Sequence, residues 1–206
     1  MSNTTPIRVT TLQDIPVIYD YLRIQNKEAY TIRNERAWKT MATMLCEERG
    51  DQLSTVYQID GNVVGFYSAI LDPSKFWKTF IKRYGFFRFV WEKMRQTAEL
   101  QEKKNVPKPV IEGHPIDTEF LEKAQKRYDT VPGKAYQYYV YVAPEARNVG
   151  VARKLLGDVE GRLKNLRCKT LESEILTDNE ASIKLHASLG FDIRSIGDMW
   201  YMVKHL

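Results

Sequence analysis

Residues 138–142, a run of tyrosine and valine, break at Pro144 and lead into Arg147-x-x-Gly150-x-Ala152. A helical pattern follows, with Val151, Leu155 and Val159 on one side. The order reads as strand, tight turn and helix start. This constrains the chain more than any other feature, because such a turn presents backbone N–H groups at a helix N-terminus. Those N–H groups have no intrahelical acceptor, and the helix dipole adds to them, so the turn favours an anion. Gly150 lets the backbone approach a phosphate, and Ala152 is too small to obstruct it.

Around this unit the pattern alternates strand and helix. Residues 7–9 suit a short first strand. Asp14 is a candidate N-cap, with Pro16 in the first turn of a helix running to about Glu28 and burying Ile15, Ile18, Tyr19, Leu22 and Gln25. A second helix is expected over 33–49, with Trp38, Met41, Met44 and Leu45 facing in and Gly50 ending it. Asp60-Gly61-Asn62 joins two strands in a tight hairpin. Beyond the middle of the chain, strand 135–142, helix 149–165, strand 169–176, helix 179–189, strand 191–196 and a last strand near 199–204 are expected. Paired strands followed by this alternation predict a mixed sheet with helices on both faces.

The middle, residues 72–134, is expected to be a helical insertion. Phe76, Phe80, Tyr84, Phe87, Trp91 and Met94 recur at helical spacing, with Gly85 kinking or dividing the helix, and a second helix is expected over 118–128. This region holds 14 Lys and Arg against 9 Asp and Glu, which equals the +5 excess of the whole chain. Three readings stand side by side: an apolar stripe packed on the sheet or on a second subunit, a lid over an acceptor pocket, and an amphipathic helix on an anionic membrane surface. No nucleic-acid motif accompanies the basic charge. No apolar stretch is long enough to cross a membrane, and the N-terminus has no signal-peptide core. Cys46 and Cys168 lack metal or redox spacing. A single-domain, cytoplasmic, metal-free protein is expected, monomer or homodimer.

A second block, residues 171–191, reads LESEILTDNEASIKLHASLGF. Together the two blocks resemble the acetyl-CoA-dependent N-acetyltransferases of the GNAT superfamily. That family carries Arg/Gln-x-x-Gly-x-Gly/Ala, then a strand with Glu, then Asn-x-x-Ala/Ser-x-x-Leu-Tyr and Leu-Gly-Phe. The matching positions here are Arg147, Gly150, Ala152, Glu174, Asn179, Ser182, Leu185, His186, Leu189, Gly190 and Phe191. The resemblance is close over about the last 70 residues, looser over 1–71, and absent in the middle.

The resemblance implies the GNAT fold, an α/β fold with a mixed, mostly antiparallel sheet, and acetyl-CoA as co-substrate. It implies that the N–H groups of Asn148, Val149, Gly150, Val151 and Ala152 bind the pyrophosphate, with Arg147 and Arg153 adding charge. The backbone of Val140, Tyr141 and Val142 would pair with the pantetheine arm as an added strand does. Asn179 matches a CoA-contacting Asn, a role compatible with capping the next helix. Glu174 matches a general base, with Glu172 on the same face in reserve. His186 departs from the family, which usually has Tyr there to protonate the departing thiolate. An imidazole can give a proton in that role, or sit packed in the helix. Among Tyr136, Tyr138, Tyr139 and Tyr141, alternation pairs 139 with 141 and 136 with 138. The acceptor implied is a primary amine of a small molecule such as an amino sugar. A protein or peptide N-terminus, or a non-catalytic acyl-CoA-binding module that recruits a partner through the insertion, are the alternatives.

Overall fold

The computed structural model describes residues 6–25, 35–47, 49–85, 130–176, 179–196 and 199–206. The expected insertion helix over 118–128, the distal part of the aromatic stripe (Phe87, Trp91, Met94) and the segment 26–34 between the first two helices lie outside them.

Seven strands form one sheet in the order β1-β2-β3-β4-β5-β7-β6. They are β1 (Ile7–Val9), β2 (Gln52–Ile59), β3 (Asn62–Ile70), β4 (Lys134–Val142), β5 (Thr170–Leu176), β6 (Asp192–Ile196) and β7 (Met199–His205). Every neighbouring pair is antiparallel except β4–β5. The helices are α1 (Ile15–Gln25), α2 (Glu35–Cys46), α3 (Pro73–Tyr84), α4 (Val151–Asn165) and α5 (Glu180–Ser188). The β2–β3 hairpin turns on Asp60 and Gly61, both at positive φ (49° and 79°), as a two-residue loop matching the strand twist requires.

The faces follow from register, because paired residues point to the same side. Gly65 meets α4, so Val142, Tyr67, Ala69 and Gln137 share the α4 face. Tyr141, paired with Phe66, points the other way and stacks on Tyr21 of α1 at 4.2 Å. Thus α1 lies on one face and α4 on the other. Helix α2 packs on α1, and α3 on α2. Arg153 of α4 donates to Ser188 Oγ of α5 at 2.9 Å, which ties those two helices together.

Several details differ from the periodicity. Asp14 does not cap α1. It closes a 3₁₀ turn, Leu12–Asp14, and is paired bidentately with Arg8 at 2.7 and 2.8 Å. Burial pushes its carboxyl up, but the bonds from Arg8 and the Thr11 N–H outweigh that and leave it below the usual range. Tyr21, which the pattern did not single out, is buried, and its hydroxyl donates to the Val63 carbonyl at 2.6 Å; Gln25 is exposed. Helix α2 stops at Cys46, before Gly50. Phe76, Phe80 and Tyr84 are buried as the stripe predicts, and α3 ends where Gly85 takes φ 106°. Asp72 caps this helix by accepting from the Lys75 N–H at 2.9 Å.

Gly65 sets how closely α4 approaches the sheet. A Cβ there would lie 2.8 Å from Val151 Cγ1 and 3.0 Å from Leu155 Cδ1. Gly65→Ala is expected to lower the unfolding free energy by about 1–3 kcal/mol through overpacking. Urea titration checks this; an unchanged midpoint would mean that α4 can retreat at no cost.

Candidate functional site

Strands β4 and β5 pair only at Lys134↔Thr170, Ala135↔Leu171 and Tyr136↔Glu172. Beyond that apex both continue, to Val142 and Leu176, without pairing to each other. Backbone groups of β4 at Val140, Tyr141 and Val142 therefore have no ladder partner on the β5 side. A cleft at the carboxyl ends of adjacent parallel strands is where open α/β sheets take ligands. The bend has a local cause. Ser68 pairs with Tyr139 and Ala69 with Gln137, so Tyr138 is an extra residue in β4, and such a bulge bends and twists its strand.

The anion turn stands at the open end of this cleft. After a 3₁₀ turn (Pro144–Ala146), Arg147 is extended and its Nε donates to the Val142 carbonyl at 3.1 Å. Asn148 (φ 64°) and Gly150 (φ 84°) are both left-handed. Helix α4 begins at Val151, and its first bonded N–H is that of Lys154, to the Gly150 carbonyl. The N–H groups of Val151, Ala152 and Arg153 thus have no intrahelical acceptor. A Cβ on Gly150 would meet nothing within 4 Å, so Gly150 is needed for its backbone conformation and not for packing. Arg147, Asn148, Val149, Gly150 and Arg153 are exposed. This donor set fits a diphosphate: a run of N–H groups, a helix N-terminus and two guanidinium groups nearby.

The apex is pinned on both faces. On the α1 face, Lys134 Nζ lies 2.7 Å from Glu172 Oε2, with the two side chains 9% and 8% exposed. The Tyr201 hydroxyl donates to the same carboxylate. On the α4 face, Gln137 Nε2 lies 3.1 Å from Ser173 Oγ and 2.8 Å from His186 Nε2, and Gln137 Oε1 accepts from the Tyr67 hydroxyl at 3.0 Å. His186 is fully buried, its Nδ1 2.7 Å from the Ser182 carbonyl and its ring 4.9 Å from that of Phe191. Burial pushes the imidazole below its ordinary value, partly offset by the Ser182 carbonyl.

Glu174 is half-buried and stands opposite Tyr201 in the β5–β7 ladder, so it shares the α1 face with Glu172. Glu172 is committed to Lys134 and Tyr201. His186 and Glu174 lie on opposite faces of the sheet, with the β4–β5 cleft between them. Tyr139 and Tyr141 share a face as alternation expects, and the bulge brings Tyr136 to that face as well. Tyr136, Tyr139 and Tyr141 pair with Ile70, Ser68 and Phe66 and share the α1 face. The Tyr138 ring packs 5.1 Å from Tyr139 and within about 6 Å of Phe76 and Trp77 of α3. Asn179 caps α5, its Oδ1 accepting from the Ser182 N–H at 3.2 Å. Gly190 takes φ 82° behind α5, and Phe191 starts the following segment in the core. Burial pushes the Cys46 thiol up to about 12 and raises Cys168 as well, so neither is primed as a nucleophile. Among the described residues no group of three or more His, Cys, Asp or Glu could hold a metal ion, and no helix is long and apolar enough to cross a membrane.

Sequence reasoning missed Lys134, Gln137, Tyr67, Ser173 and Tyr201. The one available signal was Gln137 itself, a polar residue inside an otherwise apolar and aromatic strand.

Among the described residues, the sheet parts at its parallel pair, and the turn at the mouth of the parting carries a donor set that suits a phosphate-bearing ligand. Residues 111–191 match the Acetyltransferase (GNAT) family. The PaiA N-acetyltransferase from Thermoplasma acidophilum, solved with coenzyme A, superposes with TM-score 0.57 at 13% identity, covering 97% of this chain and 98% of that one. Ribosomal-protein-alanine N-acetyltransferase from Brucella melitensis superposes at 0.53 and 20% identity, covering 97% and 99%. An N-acetyltransferase from Staphylococcus aureus does so at 0.55 and 19%, covering 97% and 96%. At these identities the likeness is one of fold. No curated protein matches the sequence.

Two outcomes follow from the apex. Lys134→Met leaves the Glu172 carboxylate buried without its cation and is expected to cost about 3–5 kcal/mol, recovered in large part by Lys134→Met with Glu172→Leu; denaturant unfolding of both variants measures it. Because the folded imidazole of His186 lies below the ordinary 6.5, its contribution is complete above about that pH. It is lost as pH falls and the unfolded chain takes up a proton that the folded chain refuses. Thermal unfolding from pH 8 down to 5 should show this loss, and His186→Gln should abolish that step. Asp14 and Asp72 act only below 3.8.

Proposed function

We propose that the protein acetylates the primary amine of a small molecule by direct transfer in a ternary complex with acetyl-CoA. The observation that carries this reading is the anion turn at the open end of the parted β4–β5 pair. Bound acetyl-CoA supplies an activated acyl thioester. The N–H groups of residues 148–152, with Arg147 and Arg153, would hold its diphosphate. The β5-side backbone of β4 at Val140, Tyr141 and Val142 would align the pantetheine arm, and Asn179, at the start of α5, would contact the co-substrate. Much of the rate gain is then positional.

An ammonium cannot attack until it has lost a proton. Glu174 is the base in this reading: by register it shares with Glu172 the face of the sheet that carries Tyr136, Tyr139 and Tyr141. The same face supports an amine acceptor, because aromatic rings and a carboxylate both attract a cation. A peptide N-terminus is the second reading, favoured by the fold likeness to ribosomal-protein-alanine N-acetyltransferase.

Calorimetric titration with acetyl-CoA is expected to give one-to-one, micromolar binding, weakened at least tenfold in Gly150→Val, where a β-branched residue would be forced to positive φ. Release of CoA across a panel of small amines and peptides sorts the two acceptor readings. With the best acceptor, Glu174→Gln should cut turnover at least tenfold. Unimpaired turnover in that variant removes Glu174 from the mechanism, and binding without turnover on any amine favours a non-catalytic module.

A further inference from the structure

The acetyl transfer outlined above makes no use of the buried polar chain beneath the cleft, Tyr67–Gln137–His186 with Ser173 as a branch. Its hydrogen positions follow from one group. The Ser182 carbonyl can only accept, so His186 Nδ1, 2.7 Å away, carries a proton and donates it. In a neutral imidazole Nε2 is then an acceptor, so Gln137 must turn its NH2 towards it, at 2.8 Å. That NH2 also reaches Ser173 Oγ, leaving Gln137 Oε1 for the Tyr67 hydroxyl, which must donate. Each of these contacts then pairs a donor with an acceptor, and the four side chains are buried.

The position of this chain gives it a use. Backbone pairing between β4 and β5 ends at Tyr136↔Glu172, and the Gln137–Ser173 bond joins the very next residues. It clasps the two strands at the point where they part, and His186 ties the clasp to α5, which starts at the Asn179 cap. We propose that His186 is a positioning residue: as a neutral Nδ1–H imidazole it holds the Gln137 carboxamide and so sets the opening of the cleft, and it does not protonate the departing thiolate. This rests on reading the cleft as the thioester site. A protonated ring would put an Nε2–H against the Gln137 NH2, unless the carboxamide turned over and both hydroxyls reversed. Lys204 and Glu160, paired at 2.6 Å, lie beyond the Phe191 ring and Tyr67.

The test is long-range proton–nitrogen NMR of the imidazoles in the full chain, between about pH 5.5 and 8, with and without CoA, with His186→Gln assigning the signal. Calorimetry of CoA binding by Gln137→Met, His186→Gln, their double variant and the milder Ser173→Ala accompanies it. The expected result is a neutral Nδ1–H ring that neither titrates in this range nor changes when CoA binds. CoA affinity should fall about tenfold in each of the first two variants, by about the same in the double variant because they break one clasp, and about threefold in Ser173→Ala. An Nε2–H tautomer, or a ring titrating in this range with or without CoA, overturns the proposal, as does wild-type CoA affinity in all variants. An unaltered chain that binds no CoA defeats the proposed function and the positioning role together, while the ring signal still reports whether the network exists.

Discussion

The interaction on which the rest depends is the short parallel contact between β4 and β5, held for three residue pairs and released above them. A parallel pair that stayed closed would leave no cleft, and one that parted lower down would split the core. The molecule resolves this with side chains where the backbone ladder ends. An ion pair, Lys134–Glu172, braces one face, and an amide network through Gln137, Ser173 and His186 braces the other. Both are desolvated, so removing one partner costs more than the intact interaction contributes. Such interactions are weak sources of net stability, but they penalise any other spacing of the two strands.

The bulge at Tyr138 does the complementary work. By adding one residue opposite Ser68 and Ala69, it bends β4 just past the last β4–β5 pair and reverses the side-chain phase. Three tyrosines of the strand then share the α1 face with Glu172 and Glu174, and Gln137 is left to the α4 face. The two faces acquire different chemistry from one strand. The α4 side leads up to the anion turn, and the opposite side collects rings and carboxylates suited to a cation. The close seating of α4 on Gly65 belongs to the same design, because it sets the height of the helix N-terminus above the sheet.

Local signals in the sequence were legible where the physics is local. The two-residue hairpin at Asp60 and Gly61, the turn at Gly150, the cap at Asn179 and the end of α5 at Gly190 all rest on backbone preferences within a few residues. The buried stripes of α3 and α4 were legible because 3.6-residue periodicity is carried by neighbours in the chain. Asp14 failed as a cap because Arg8, its partner, arrives from β1. Alternation paired Tyr139 with Tyr141 correctly but set Tyr136 apart from them, because it assumes an unbroken ladder, and a bulge shows itself only when the partner strand is placed.

By itself, then, the sequence determined the order of the described elements, the tight turn at Gly150 and the resemblance to a family, since each is written in contiguous residues at fixed spacing. Tertiary structure alone decided that Glu172 is committed to an ion pair, which way the tyrosines of β4 face, and that His186 is buried with both ring nitrogens bonded. These depend on partners far away in the chain, such as Lys134 for Glu172 and Gln137 for His186. The state of a titratable group is set by desolvation and by the donors and acceptors brought to it, and those are quantities that only the folded chain possesses.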